Sequence, residues 1–267
     1  MTAEDPHVLY ETRDDGAIAL VTMNRARYRN PLSLPMMRAL DAAFTEANDD
    51  ERVRVIILQG DGPSFCSGHD TGSPDAIATR AELADAPFEK RMAHLREMDF
   101  DPILRMRNVP KPTIAMVRGS CVYAGWMLAA AMDVIFASDD AQFQAVNLAV
   151  FTVPWDIGAR QAKYYMYDSR FFDAQTAKTA GFVQEVHPGD RLEEETMAYA
   201  RRVAKNDPFQ LQLMKYSVHQ MQEAQGFTAH INSSFSDRII RGAFQDERRA
   251  ARDQSNKETS PPPGRQV

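Results

Sequence analysis

Only two cysteines and two tryptophans occur among the 267 residues, and no apolar run approaches the ~18–20 residues of a membrane span. Cys66 and Cys121 sit in no C-x-x-C or other metal-type spacing. Two reduced thiols suit a protein of the cytoplasm, which is the localisation expected. The 31 Lys and Arg residues are outnumbered by 37 Asp and Glu. A net charge of −6 argues against nucleic acid as a partner, because phosphate backbones are met by clustered cations. A phosphorylated small ligand stays open, since it needs only a few local Arg or Lys residues. Met1 to His7 is polar and acidic, unlike a signal peptide. Gly60-x-Gly62 lacks the third glycine of a dinucleotide fingerprint and the Gly-Lys-Ser/Thr ending of a P-loop. No internal repeat of 20–50 residues is visible.

What is present is enough apolar material, 44% of the residues, for a sizeable core. Val8 to Asp14 and Ala17 to Met23 read as strands joined by the turn signal Asp15-Gly16. Ser33 is placed to cap a helix from Leu34 to Asn48, with Met37, Leu40, Ala43 and Phe44 at helical spacing. Val53–Gln59, Pro112–Val117 and Asp133–Ala137 read as buried strands, and Trp126–Met132 as a short apolar helix after a turn over Gly119–Gly125. From Pro74 to Arg107 the chain is charged and helical in tendency, broken at Pro87 and Pro102. Strands alternating with helices predict an α/β class. After Gly189 only helices are expected: Glu193–Lys205, Pro208–Glu223 and Thr228–Arg241. This divides the chain into a core over 1–190, a helical lid or oligomer contact over 191–256, and a disordered tail over 257–267. The tail holds Ser260-Pro261-Pro262-Pro263-Gly264.

Two strand-to-turn segments draw attention. One is Gly62-Pro63-Ser64-Phe65-Cys66-Ser67-Gly68-His69-Asp70. The other is Lys111 to Gly119, continuing into Tyr123-Ala124-Gly125-Trp126-Met127. Each takes a buried strand into a turn of small residues, where backbone can approach a ligand closely. Backbone N–H groups aimed at a carbonyl stabilise an oxyanion. Any one such turn is more often a plain connection.

The combination is more specific. The segments Asn24 to Leu32, Phe65 to Asp70, Lys111 to Ala115, Ala131 to Ala137 with Ala141-Gln142-Phe143, and Asp173 to Ala177 with Gly181 to Val186, in this order, resemble the crotonase (enoyl-CoA hydratase/isomerase) superfamily. The resemblance implies a crotonase-like spiral of ββα units with a helical C-terminal region, assembled as a homotrimer or dimer of trimers. It implies an acyl-CoA substrate, with coenzyme A as part of the substrate and no separate cofactor or metal. The oxyanion hole would be the N–H groups of His69 and Ala124. Arg27, Tyr28, Cys66, Ser67 and Gly68 would meet CoA.

The chain departs from the family where hydratases carry two glutamates. The first falls on Met127 and the second on Asn147, neither of them ionisable. Asp156, in the loop where 4-chlorobenzoyl-CoA dehalogenases place a nucleophilic aspartate, is the leading candidate for a base or nucleophile; the plain alternative is a helix cap. Asp99 and Asp101 fall where a helix of the family faces the acyl group, the imidazole of His69 is within possible reach, and the phenol of Tyr123 can donate a hydrogen bond. His94 is expected to be solvated. Trp126, Met127, Phe151 and Trp155 are expected around a dry acyl pocket suited to a bulky or cyclic group, or else are plain core. Hydration, isomerisation and hydrolysis of a C–C bond or thioester all remain open. So does a non-catalytic scaffold that binds CoA or protein, and an oxyanion-hole enzyme whose substrate carries no CoA.

Overall fold

The computed structural model describes residues 6–84, 86–145 and 150–242. Asn147 and the predicted tail over 257–267 lie outside the described residues.

In chain order the elements are β1 (Val8–Arg13), β2 (Ile18–Met23), α1 (Leu34–Asp49), β3 (Val55–Gly60), α2 (Pro74–Ala84), α3 (Phe88–Asp99), α4 (Asp101–Arg107), β4 (Thr113–Val117), β5 (Ser120–Val122), α5 (Ala124–Ala130), β6 (Val134–Ser138), β7 (Gln142–Gln144), α6 (Val153–Ile157), α7 (Ala159–Tyr167), β8 (Phe172–Asp173), α8 (Ala174–Thr179), β9 (Glu185–His187), α9 (Leu192–Ala204) and α10 (Pro208–Ala224). A further helix, α11, covers 227–242. The hairpin forms because Asp14, Asp15 and Gly16 all adopt positive φ (52°, 57° and 93°), which short polar residues and glycine tolerate. Ser33 caps α1 by accepting the Met36 N–H at 3.4 Å, with Pro35 in the first turn.

Six strands form one sheet in the order β1-β2-β3-β4-β6-β9, parallel except for β1 against β2. Three short strands form a second sheet, β5-β7-β8. The chain places one strand in the large sheet, the next in the small sheet, and then a helix: β4-β5-α5, then β6-β7-α6. This is the spiral of ββα units, with helices following it. The segment after β3 joins the same pattern, for Cys66 bridges Cys121 of β5 in parallel. The turn expected over Gly119–Gly125 thus contains a strand, β5. Its three residues pair with Gln142–Gln144, some twenty positions on, and are too few to display a period.

β2 is buried along its whole length because both faces of the sheet are covered. Ala19, Val21 and Met23 face the main core with α1. Ile18 and Leu20 face Leu192, Met197 and Ala200 of α9. By contrast, α10 buries none of its residues, and its Met214, Val218 and Met221 are all exposed.

Candidate active site

The segment 24–32 and the loop 61–70 are locked together by polar groups. The buried side chain of Asn30, itself at φ 52°, donates to the carbonyls of Asp61 and Ser64 at 2.8 Å each and accepts the Arg25 N–H at 2.8 Å. Arg25 and Asp70 form an almost fully buried ion pair at 2.7 Å. Burial alone would raise the Asp70 carboxyl, but the N–H groups of Ser73 and Gly72 and the Arg25 guanidinium hold it below the usual range.

The loop is bound on its two sides to different partners. Cys66 donates to Ser120 O at 2.9 Å and accepts from Val122 N at 3.1 Å. Gly68 O accepts the Leu32 N–H on the opposite side at 2.8 Å. Every described peptide is trans, so the His69 N–H points away from Leu32, to the side of Val122 and Tyr123. Tyr123 O accepts the Met127 N–H at 3.3 Å, inside the first turn of α5. By the same planar geometry the Ala124 N–H points back out of the helix. Neither N–H donates to another described residue.

The two segments touch. A methyl group built on Gly125 would lie 2.7 Å from the Cys66 carbonyl oxygen, and one on Gly68 would lie 3.2 Å from the Tyr123 ring. Gly68 is at φ 103° and Tyr123 at φ 49°, a strained conformation for an aromatic residue.

Alongside lie the other residues expected at this site. The Tyr28 ring sits beside the guanidinium groups of Arg25 and Arg27, at 5.4 and 5.5 Å, and Ser67 Oγ donates to Tyr28 O at 3.4 Å. Arg27 and Tyr28 are exposed. Cys66 is fully buried, and burial pushes its thiol up to about 12, so it is no nucleophile.

His69 Nε2 lies 2.6 Å from Asp99 Oδ1 at the end of α3. Asp99 is wholly buried, and its other oxygen accepts from Arg238 Nη2 of α11. Burial would raise Asp99, yet His69, Arg238 and His94 together hold its carboxyl below the ordinary value. His94 is half-buried rather than solvated, and burial pushes it down. Asp101 instead faces outward, paired with Arg96.

Asp156 lies elsewhere. It sits inside α6 rather than at its cap, and its Oδ2 accepts from Trp126 Nε1 at 2.8 Å and Thr152 Oγ1 at 2.7 Å. Protein atoms crowd the carboxylate, and burial pushes it up to about 6 against those two hydrogen bonds. It lines a cavity of about 240 Å³ with Arg107, His219, Gln222 and Phe227, a cavity that none of residues 66–70 or 122–125 lines. Trp126 is core, stacked on Phe182 at 3.7 Å, and Met127 is buried. Phe151 and Trp155 meet α11, where Trp155 Nε1 donates to His230 Nδ1 at 3.0 Å. The structure therefore brings Arg27, Tyr28, Cys66, Ser67, Gly68, His69, Tyr123 and Ala124 together. It gathers Trp126, Phe151, Trp155 and Asp156 in a second group against α6 and α11.

Comparison with known proteins agrees with this architecture. The family model described as Enoyl-CoA hydratase/isomerase matches residues 13–247. The chain belongs to the enoyl-CoA hydratase/isomerase family. Among its relatives is a Mycobacterium tuberculosis protein named for enoyl-CoA hydratase, EchA13, 37% identical over 252 residues, which are 87% of this chain and 79% of that one. A crystal structure from Mycobacterium thermoresistibile, named for the same activity, is 34% identical and superposes with a TM-score of 0.78, covering 87% of this chain and 94% of its own. An enoyl-CoA hydratase/isomerase structure from Xanthobacter autotrophicus Py2 is 31% identical with a TM-score of 0.78, over 86% of this chain and 85% of its own. As a member of this enzyme family, the chain has the crotonase fold. Sequence reading did not single out Arg25, Arg238 or His230. Arg25 lies inside a quoted motif, but Arg238 is 139 positions from its partner and carries no local signal.

Proposed function

We propose that this crotonase-family chain binds an acyl-CoA thioester and polarises its carbonyl with the N–H groups of His69 and Ala124. The oxygen so held would carry the charge of an enolate or a tetrahedral intermediate. The observation that carries the reading is the pair of outward-facing N–H groups on two touching loops, neither of which donates to another described residue. Each donor of this kind is typically worth ~2.7–4 kcal/mol to a transition state. The exposed Arg27 and Tyr28 beside Ser67 and Gly68 suit the phosphates and adenine of CoA. The relatives' names point to enoyl-CoA hydration, but Met127 and Asn147 stand where the resemblance expects glutamates. Proton transfer by a glutamate pair is therefore not part of the reading. The exposed apolar residues of α10 support a homo-oligomer, a trimer or dimer of trimers.

The test is infrared difference spectroscopy of a thioester labelled with ¹³C at the carbonyl. On binding, the stretch moves to lower frequency as the N–H groups withdraw electron density. An acyl-CoA that binds with its carbonyl stretch unmoved rules the oxyanion hole out. A panel of enoyl-, β-keto- and aryl-CoA esters then assigns the reaction. Binding without turnover of any of them favours the scaffold.

A further inference from the structure

We infer that the imidazole of His69, held by Asp99 and through it by Arg238, is the proton-transfer group of this site. The inference rests on the acyl-CoA reading above and supplies the base that Met127 and Asn147 do not.

Asp99 has no exposed surface, and an ionised carboxylate in such a place needs compensating charge on its oxygens. Arg238 meets Oδ2 and His69 Nε2 meets Oδ1 at 2.6 Å. An ionised carboxylate only accepts hydrogen bonds, so the hydrogen of this contact belongs to Nε2. A neutral imidazole with its hydrogen on Nε2 has its lone pair on Nδ1. The His69 side chain keeps about a quarter of its surface, 24%, open. Nε2 is turned to the buried Asp99, and Nδ1 bonds no described residue. The basic nitrogen is thus on the same residue as one of the two outward N–H groups.

His94, on α3 with Asp99, acts on the same carboxylate, and Asp70, next to His69 in the chain, is already paired with Arg25. Neither is hydrogen-bonded to His69. Arg238 reaches the imidazole only through Asp99 and is a positioning residue, as is Asp99. Arg238 belongs to α11, so the chain's own last described helix completes the site. Phe235 of the same helix packs on Phe100 at 4.5 Å, beside Asp99.

The step is a proton transfer. Nδ1 takes a proton from C2 of the acyl group. The C–H electron pair becomes the C1–C2 double bond, and the carbonyl π pair moves onto the oxygen facing the two N–H groups. The imidazolium returns a proton to carbon, so the minimal reaction is exchange of the C2 hydrogen with solvent.

The experiment follows that exchange by NMR in D2O with a saturated acyl-CoA, alongside calorimetric binding and thermal unfolding. His69→Gln should lower exchange by about 10²–10⁴-fold while still binding the ester. Asp99→Asn should slow exchange while still binding the ester, because an amide, unlike a carboxylate, can donate as well as accept and no longer fixes the hydrogen on Nε2. Arg238→Lys should retain more activity than Arg238→Met. Wild-type exchange in His69→Gln overturns the assignment, as does loss of exchange in Asp156→Asn alone. Should the wild type bind no acyl-CoA, the reading under Proposed function falls separately. The ¹⁵N spectrum of the ligand-free protein then decides the relay. The Nε2–H tautomer, lost in Asp99→Asn, supports it, and an Nδ1–H tautomer in the wild type contradicts it.

Discussion

Asp99 is buried and the Asp156 carboxylate is crowded by protein atoms, and the two differ in what surrounds them. Asp99 is flanked by His69, Arg238 and His94 and is held below its usual range despite burial. Its contribution to stability is present above the unfolded aspartate value and is lost as pH falls through the lower folded one. Asp156 has only neutral donors, Trp126 and Thr152, and burial lifts it to about 6. The sign is then reversed: its favourable, protonated form is lost as pH rises from about 4 to about 6. The ionised side chain costs on the order of 3 kcal/mol above that window. Asp156→Asn keeps the shape without the charge. Its melting temperature relative to wild type should therefore rise between pH 5 and pH 8. A difference that is flat with pH would place the Asp156 titration at an ordinary value.

At the scale of elements, the contact of the two site loops depends on glycine. Gly125→Ala should cost about 1–3 kcal/mol of stability, because its methyl meets a backbone oxygen that no rotamer can move. It should also depress acyl-CoA turnover by moving α5 and the Ala124 N–H away from Cys66. Denaturant unfolding and steady-state rates measure both, and an unchanged variant would show that the loops are not closely docked. Breaking the Arg25–Asp70 pair with Arg25→Met should cost about 3–5 kcal/mol, since it removes the only counter-charge paired with that carboxylate among the described residues and leaves it two backbone N–H groups. Elements with local signals were legible in the sequence. The cap at Ser33 set the start of α1, and continuous apolar runs marked β2, β3, β4 and β6. β5 was not legible, because what makes Ser120–Val122 a strand is β7, brought alongside only by the spiral. The loop residues of the candidate site lie in short contiguous segments that the family resemblance picks out, where the turns alone read as plain connections. The Asp99–Arg238 contact was not legible, since it joins two helices far apart in sequence.

For the whole molecule, α10 is the feature a single chain leaves unexplained. Phe209, Leu213, Met214, Tyr216, Val218 and Met221 are each about half exposed or more, and clustered exposed apolar side chains of this kind mark interaction surfaces. Light scattering after gel filtration should give a trimer or hexamer. Leu213→Glu with Met214→Glu should shift it toward monomer while leaving the fold intact. A monodisperse wild-type monomer would contradict the assembly. The oxyanion hole itself comes down to the position of one oxygen atom. A crystal structure with an unreacted acyl-CoA bound should place the thioester oxygen about 2.7–3.1 Å from both the His69 and Ala124 nitrogens. An acyl-CoA bound in an ordered pose with that oxygen away from both, for example in the Asp156 cavity, would contradict it.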